Sequence, residues 1–353
     1  MIEMGEAKTA EERDAVFRFW YSVYVAELGR YRDVADHANR MLRGPEDERS
    51  HIYYARDGDE VVAACRFNWG ADGFSARQID QYRLEPFLRE IPHELMLVGE
   101  RTMVAPSHRG GSVYVDLAYS TAPFAETHGV LLSFGASEPH LVSYYAQFGQ
   151  RPYASRQYFS EESGYIVPTL AFPRGTDVFG EDPPECIRQA LNGPCSVHNA
   201  ASDGEESYRI ALRESFGSPA RDGLFAAMTA DEVIRCAERG TLLRCAAGDQ
   251  VLRRGGTARN PFVVVSGQLE VRDADRATRT LRAGDLFGES GWLGNEVRQS
   301  DVFVTHDGTE ILALSEGALR KLAETDPLVT SKLNANVAKI LWSRLRDTDG
   351  LTG

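Results

Sequence analysis

The 353-residue sequence has no run of about 18 consecutive apolar residues, which excludes an ordinary membrane-spanning helix. It is also poor in cysteine. Cys65, Cys186, Cys195, Cys236 and Cys245 are odd in number, scattered, and form no C-x-x-C pair. That excludes a disulfide framework and a zinc ribbon, and suits reduced thiols in a cytoplasm. The eight histidines include no H-E-x-x-H, so no metal is expected. Positive charge is in deficit: 39 Lys and Arg stand against 52 Asp and Glu, a net charge of −13. A nucleic acid partner needs clustered Lys and Arg, so it is excluded, as is attraction to an anionic membrane. The opening "MIEMGEAKTAEERD" has no apolar core, so no secretion signal is expected and the location is read as cytoplasmic.

What is present suits a soluble chain of two domains. The length exceeds one ordinary core, and 42% hydrophobic with 26% charged residues is a globular composition. Residues 11 to 29 place Val16, Phe19, Trp20, Val23 and Tyr24 at three- and four-residue steps, which predicts an amphipathic helix ending at Gly29. "HIYYARDGDEVVAACRF" predicts a β-hairpin around Asp57-Gly58-Asp59. A strand over 95–104, a Gly-rich break, a helix to Gly129, a strand and a short helix follow, which makes a mixed α/β domain over 1–178. Residues 179–222 are rich in Pro, Gly, Asp and Ser and read as a linker. From 223 to 348 short strands closed by Gly or Asp, with helices on either side, predict a β-barrel or jelly roll. The fold class is therefore α+β with two domains.

"MVAPSHRGGSV" joins a strand to a helix through Arg109, Gly110 and Gly111. Backbone N–H groups at such a helix start can hold a pyrophosphate. "SYYAQFGQRPY" follows after one strand and one helix. Together these resemble the GNAT acyltransferase superfamily over roughly residues 1 to 175. Val104, Pro106, Arg109 and Gly110 match its V-x-P-x-x-R-G motif, while Ser112 and Tyr114 stand where its next glycines would be. "FRFWYSVYVAELGRY", "RFN" and "GERTMV" look like the autoinducer synthase and N-acyl amino acid synthase branch. The resemblance implies an acyl-CoA or acyl carrier protein donor and a small-molecule amine acceptor, such as an amino acid. It implies substrate-binding roles for Arg66 and Arg101, and a proton from Tyr145 to the departing thiolate. Trp20 stands where that branch commonly has an arginine. Chemically, Glu100 is the candidate base if burial poises its pKa, and strand N–H groups near residues 102 to 104 are candidates to polarise the thioester oxygen. Glu100 and Arg101 are neighbours, so an unbroken strand would turn them to opposite faces.

"GDQVLRRGGTARNPFVVVSGQLEV" and "LRAGDLFGESGWLGNEVRQSDV" resemble the cyclic nucleotide-binding domain. Gly248, Val251, Gly255, Val263, Gly267 and Val271 meet its glycine and valine pattern. Phe287, Gly288, Glu289 and Arg298 meet its phosphate cassette, with Gln299 and Ser300 following the arginine. Arg298 suits a bidentate contact to a cyclic phosphate, Gly288 a close backbone approach, and Glu289 a ribose hydroxyl. The resemblance implies cAMP or cGMP as effector. The sequence thus leads to an N-acyltransferase regulated by a cyclic nucleotide. Two alternatives stay open: a nucleotide sensor with a non-catalytic acyltransferase-like scaffold, and a cAMP-regulated protein lysine acetyltransferase. A homodimer is compatible with each.

Overall fold

The helix expected over residues 11 to 29 forms in two parts. Thr9 starts it, accepting from the Glu12 N–H at 3.2 Å while the Glu12 carboxylate accepts from the Thr9 N–H at 2.8 Å. The α-helix Ala10–Trp20 then widens into a π-helix, Tyr21–Glu27. Val16, Phe17, Phe19 and Trp20 are buried along its inner face. The computed structural model describes residues 2–160, 164–217, 223–256, 260–273, 276–293 and 297–348.

Five strands frame the first domain: β1 (Ile2–Glu6), β2 (His51–Asp57), β3 (Glu60–Trp69), β4 (Met96–Val104) and β5 (Leu132–Ser137). The first four pair antiparallel in sequence order, and β5 runs parallel to β4. The hairpin turn lies where the sequence predicts it, with Asp57 opposite Glu60 and Gly58 at φ +61, a conformation natural to glycine. The sheet continues from β5 through Gly164–Ala171 to Arg151–Pro152. Two irregularities in β4 matter. It pairs with β5 only over Met96–Val98, leaving its later residues off that ladder. Against β3, Ala64 faces Met103 and Arg66 faces Glu100, so Arg101 and Thr102 share the place opposite Cys65. This is a β-bulge, and Arg101 adopts φ +52 within it.

The second domain is a jelly roll of two antiparallel sheets. One runs Leu286–Phe287, Phe262–Ser266, Thr309–Ala313, Thr241–Cys245, Val197–His198; the other Gln250–Leu252, Asp301–Val304, Gln268–Asp273, Arg276–Arg282. Leu243, Phe262 and Ile311 from the first share a core with Val251, Leu269 and Val302 from the second. The helices Ala230–Ala237, Glu316–Thr325 and Pro327–Thr348 contribute Val233, Leu322, Val329 and Leu333 to another buried cluster. The α+β class read from the sequence is the one found.

The chain divides differently from a simple front and back. One compact unit is Met1–Ala136, Gly149–Ala154 and Pro168–Pro194; the other is Ser137–Phe148, Ser155–Val167 and Cys195–Gly353. Within the second unit, Asp249 accepts from Arg156 at 2.5 Å and from the Tyr165 hydroxyl at 3.0 Å. Residues 179–222, expected as a linker, hold the helices Glu185–Asn192, Ala200–Asp203 and Glu205–Phe216. Ile187, Tyr208 and Leu212 on them are fully buried.

Candidate functional site

The first candidate site is a buried ionic network on β3 and β4. Arg66 is only 3% exposed, so its guanidinium needs partners inside the protein. It donates to Glu100 at 2.8 Å and to Asp47, and lies 3.5 Å from Glu46. Arg77, on the helix Ala76–Gln81, donates to Glu46 at 2.9 Å and to both oxygens of Glu100 at 2.8 and 3.0 Å. Gln78 and the Tyr82 hydroxyl also donate to Glu100, at 3.0 and 3.1 Å. Arg101 donates to Asp47 at 3.0 Å and lies over Trp20 and Tyr31, 5.3 and 5.4 Å from the ring centres. The bulge makes this possible: it turns both Glu100 and Arg101 into one network, where an unbroken strand would have separated them.

Three carboxylates and three guanidiniums thus neutralise one another. Burial raises the Glu100 pKa, but Arg66 and Arg77 outweigh it and hold the carboxyl at about 2. The expected poised base is corrected on this point: an anion so strongly held takes up a proton poorly at neutral pH. Glu100 instead fixes Arg66, Arg77 and Tyr82. Arg66 and Arg101 likewise face internal acids. Glu46, Asp47, Arg77, Gln78 and Tyr82 were missed in the sequence. The acids sit in "GPEDERSH", which reads as a solvated turn, and they meet Arg66 only through tertiary packing.

The loop expected from the sequence to bind the donor leads from β4 into the helix Val113–Ser120. Arg109 makes a fork to Glu27, at 2.7 and 2.8 Å, and donates to the Val104 carbonyl at 3.0 Å. Gly110 lies at φ +80, Gly111 follows it, and the helix Val113–Ser120 starts without a side-chain cap. Tyr145 lies on the helix Val142–Ala146, in the second unit, whereas Glu100 belongs to the first. Burial pushes the Tyr145 hydroxyl up to about 12, with Tyr144 and Glu138 adding to the rise. It is therefore protonated at neutral pH.

The second candidate site is the cassette in the jelly roll. Phe287 stacks on Phe262 with ring centres 5.2 Å apart, which anchors the strand end. Gly288 follows at φ +74, and a Cβ there would lie 2.9 Å from an Arg298 nitrogen. Only glycine satisfies both demands. Glu289 opens the short helix Glu289–Leu293 and is bound by Arg344 from the helix Pro327–Thr348, which also donates to the Leu286 carbonyl. Arg298 is 3% exposed and donates to the carbonyls of Gly288 and of Asn260, the latter at 2.8 Å. Its Nε is buried without an acceptor, and among the described residues no carboxylate forms an ion pair with it. Burial drops the Arg298 pKa to about 10, partly offset by Glu138 and Glu289. Gln299 is exposed, its amide donating to the Val297 carbonyl at 3.2 Å, and Ser300 is half-buried.

The later part of the chain is similar to a cyclic nucleotide-binding domain, and the earlier part is similar to an acyltransferase. Residues 242–326 match the family model described as the cyclic nucleotide-binding domain. A cGMP-dependent protein kinase of Caenorhabditis briggsae is 32% identical over 105 residues, 28% of this chain and 14% of the kinase. An L-ornithine N(alpha)-acyltransferase of Rhodobacter capsulatus is 32% identical over 151 residues, 39% of this chain and 56% of that enzyme. The chain therefore spans little of the kinase and just over half of the acyltransferase. A solved CoA-dependent acyl-homoserine lactone synthase is 17% identical, with a TM-score of 0.41 over 49% of this chain and 83% of that one.

Proposed function

We propose that the protein is an N-acyltransferase that moves an acyl group from acyl-CoA or acyl carrier protein to a small-molecule amine, and that cAMP or cGMP in the jelly roll sets its rate. One observation carries the reading: Arg298 is a buried cation whose hydrogen-bond partners among the described residues are the carbonyls of Gly288 and Asn260, and a cyclic phosphate would supply it an anion. The likeness to an ornithine acyltransferase supports an amino acid amine as acceptor.

The neutral amine attacks the thioester carbon, the C–S bond breaks, and the proton that the nitrogen loses passes through solvent to the departing thiolate, which leaves as the thiol. In this reading N–H groups of β4 past Val98, beyond its pairing with β5, polarise the thioester oxygen. Tyr145, protonated at neutral pH, supplies a hydrogen bond to the leaving sulfur. The network around Glu100 holds β3 and β4 in register and acts by positioning. The test is thiol release from a series of acyl-CoA and acyl carrier protein thioesters with amino acid acceptors, with and without cAMP and cGMP. No turnover with any donor would sink the catalytic half of the reading.

A second reading, a nucleotide sensor with a non-catalytic scaffold, is favoured by the fork between Arg109 and Glu27, which occupies the donor-loop arginine. Nucleotide binding without binding of any acyl thioester would select it.

A further inference from the structure

Two of the five cysteines fall opposite each other at the edge of one jelly-roll sheet. The strand Thr241–Cys245 pairs antiparallel with the edge strand Val197–His198, with Leu242 opposite His198 and Leu243 opposite Val197. The pairing runs one step further, because the Arg244 N–H donates to the Ser196 carbonyl at 2.8 Å. Arg244 and Ser196 are thus a hydrogen-bonded pair, and the next pair in the alternation, Cys245 and Cys195, is of the non-hydrogen-bonded kind. Such a pair brings its Cα atoms to about 4.5 Å, inside the range of about 4.4–6.8 Å that a disulfide spans. The face is shared as well. Leu243, Cys245 and Val197 are buried in one cluster, and Cys195 packs against it. Cys65, Cys186 and Cys236 belong to three other clusters.

The two thiols differ in reach. Cys195 is half-buried and Cys245 is buried. Burial pushes the Cys245 thiol up to about 12, which leaves Cys195 as the group that meets a solute first. The surroundings hold the pair in place. The Tyr165 hydroxyl donates to Cys245 Sγ at 3.3 Å and to Gln157 at 2.9 Å, and the Gln157 amide donates to Ser196 Oγ at 3.0 Å.

We propose that Cys195 and Cys245 are a redox-modification site, closed to a reversible disulfide by low-molecular-weight organic disulfides. The Cys195 thiolate attacks one sulfur of the organic disulfide, whose S–S bond breaks and releases a small thiolate. The Cys245 sulfur then attacks the Cys195 sulfur, the bond to the second small thiol breaks, and the Cys245 proton leaves with that thiol. Two cysteines are oxidised and one organic disulfide is reduced to two thiols. Adjacency lets the buried Cys245 complete the second step. The link closes a loop of about fifty residues around the helices Glu205–Phe216 and Ala230–Ala237, so it restricts the unfolded chain and stabilises the second unit. It also fixes the chain at the point where it enters that unit from Pro194.

The full chain, reduced and then incubated in native buffer with oxidised glutathione, tests this by peptide mapping. The expected product links Cys195 to Cys245, weighs two hydrogens less than the reduced chain, and reverts with dithiothreitol. It should melt about 5–10 °C above the reduced form. Cys245→Ser is expected to stop with one glutathione on Cys195, and Cys195→Ser to leave Cys245 unmodified. A lasting glutathione adduct on Cys195 of the native chain, a link from Cys195 to any other cysteine, or no reaction overturns the proposal. So does modification of Cys245 in Cys195→Ser, or an unchanged melting temperature of the linked chain. If a variant does not fold, the native chain decides: a link that forms only in urea overturns the proposal.

Discussion

Arg66 and Arg298 are equally buried, each 3% exposed, and opposite in kind. Arg66 sits among Glu46, Asp47 and Glu100; burial lowers its pKa, but Glu100 and Asp47 outweigh that and drive it upward. Arg298 has carbonyls for partners, and burial carries its pKa down. A buried cation with its anions built in is a finished structural piece. A buried cation without them is costly to the empty protein and is relieved by an anionic ligand. On the proposed reading, the first belongs to a scaffold and the second to a receptor.

Mutation can break that contrast. Arg66→Met leaves three buried carboxylates short of a partner and should lower the unfolding free energy by about 3–5 kcal/mol, read by urea denaturation. Arg298→Ala should change that quantity by less than about 1 kcal/mol, since it removes an uncompensated charge. A comparable loss in both variants would erase the distinction. The next effect in size is pH. Glu100 titrates at about 2 in the fold against an ordinary 4.5, so the stability it provides is complete above pH 4.5 and is lost as pH falls toward 2. The loss is about 3 kcal/mol, from the width of that window. Glu100→Gln should flatten the dependence of unfolding free energy on pH across it.

At the cassette, Arg298→Ala should weaken cAMP or cGMP binding about a hundredfold, measured by calorimetry. Gly288→Ala should cost about 1–2 kcal/mol, because alanine is strained at φ +74 and its methyl would press on the Arg298 guanidinium. A melting curve unchanged by this substitution would show that the turn is not held as described. The smallest effect is expected at Gln299, which is exposed and bonded only to the Val297 carbonyl among the described residues. Gln299→Ala should alter nucleotide affinity by less than about threefold.

The cassette was legible because its residues are close in sequence and each has a demanding job. Gly288 must allow a positive φ, and Arg298 must follow at a short distance. The ionic network was legible only in fragments. Arg66, Glu100 and Arg101 could be picked out, but Asp47 and Arg77 come from separate segments whose charges look like ordinary surface. The bulge left no trace in the pattern either, because one extra residue opposite Cys65 changes the direction of side chains without changing composition. Continuity along the chain misled as well. Residues 137–148 and 155–167 read as the end of one domain, although Val142, Tyr165 and Val167 are buried with the jelly-roll core.

That interleaving has a consequence for synthesis. Val142, Tyr165 and Val167 leave the ribosome long before Val251, Leu269, Ile311 and the other residues that enclose them. The first unit has all its segments once residue 194 has emerged, whereas these apolar side chains must wait for a further hundred or so residues. During that interval a nascent chain presents them uncovered. Stalled or truncated products ending before the jelly roll should therefore be the form of this protein that chaperones hold and that aggregates first.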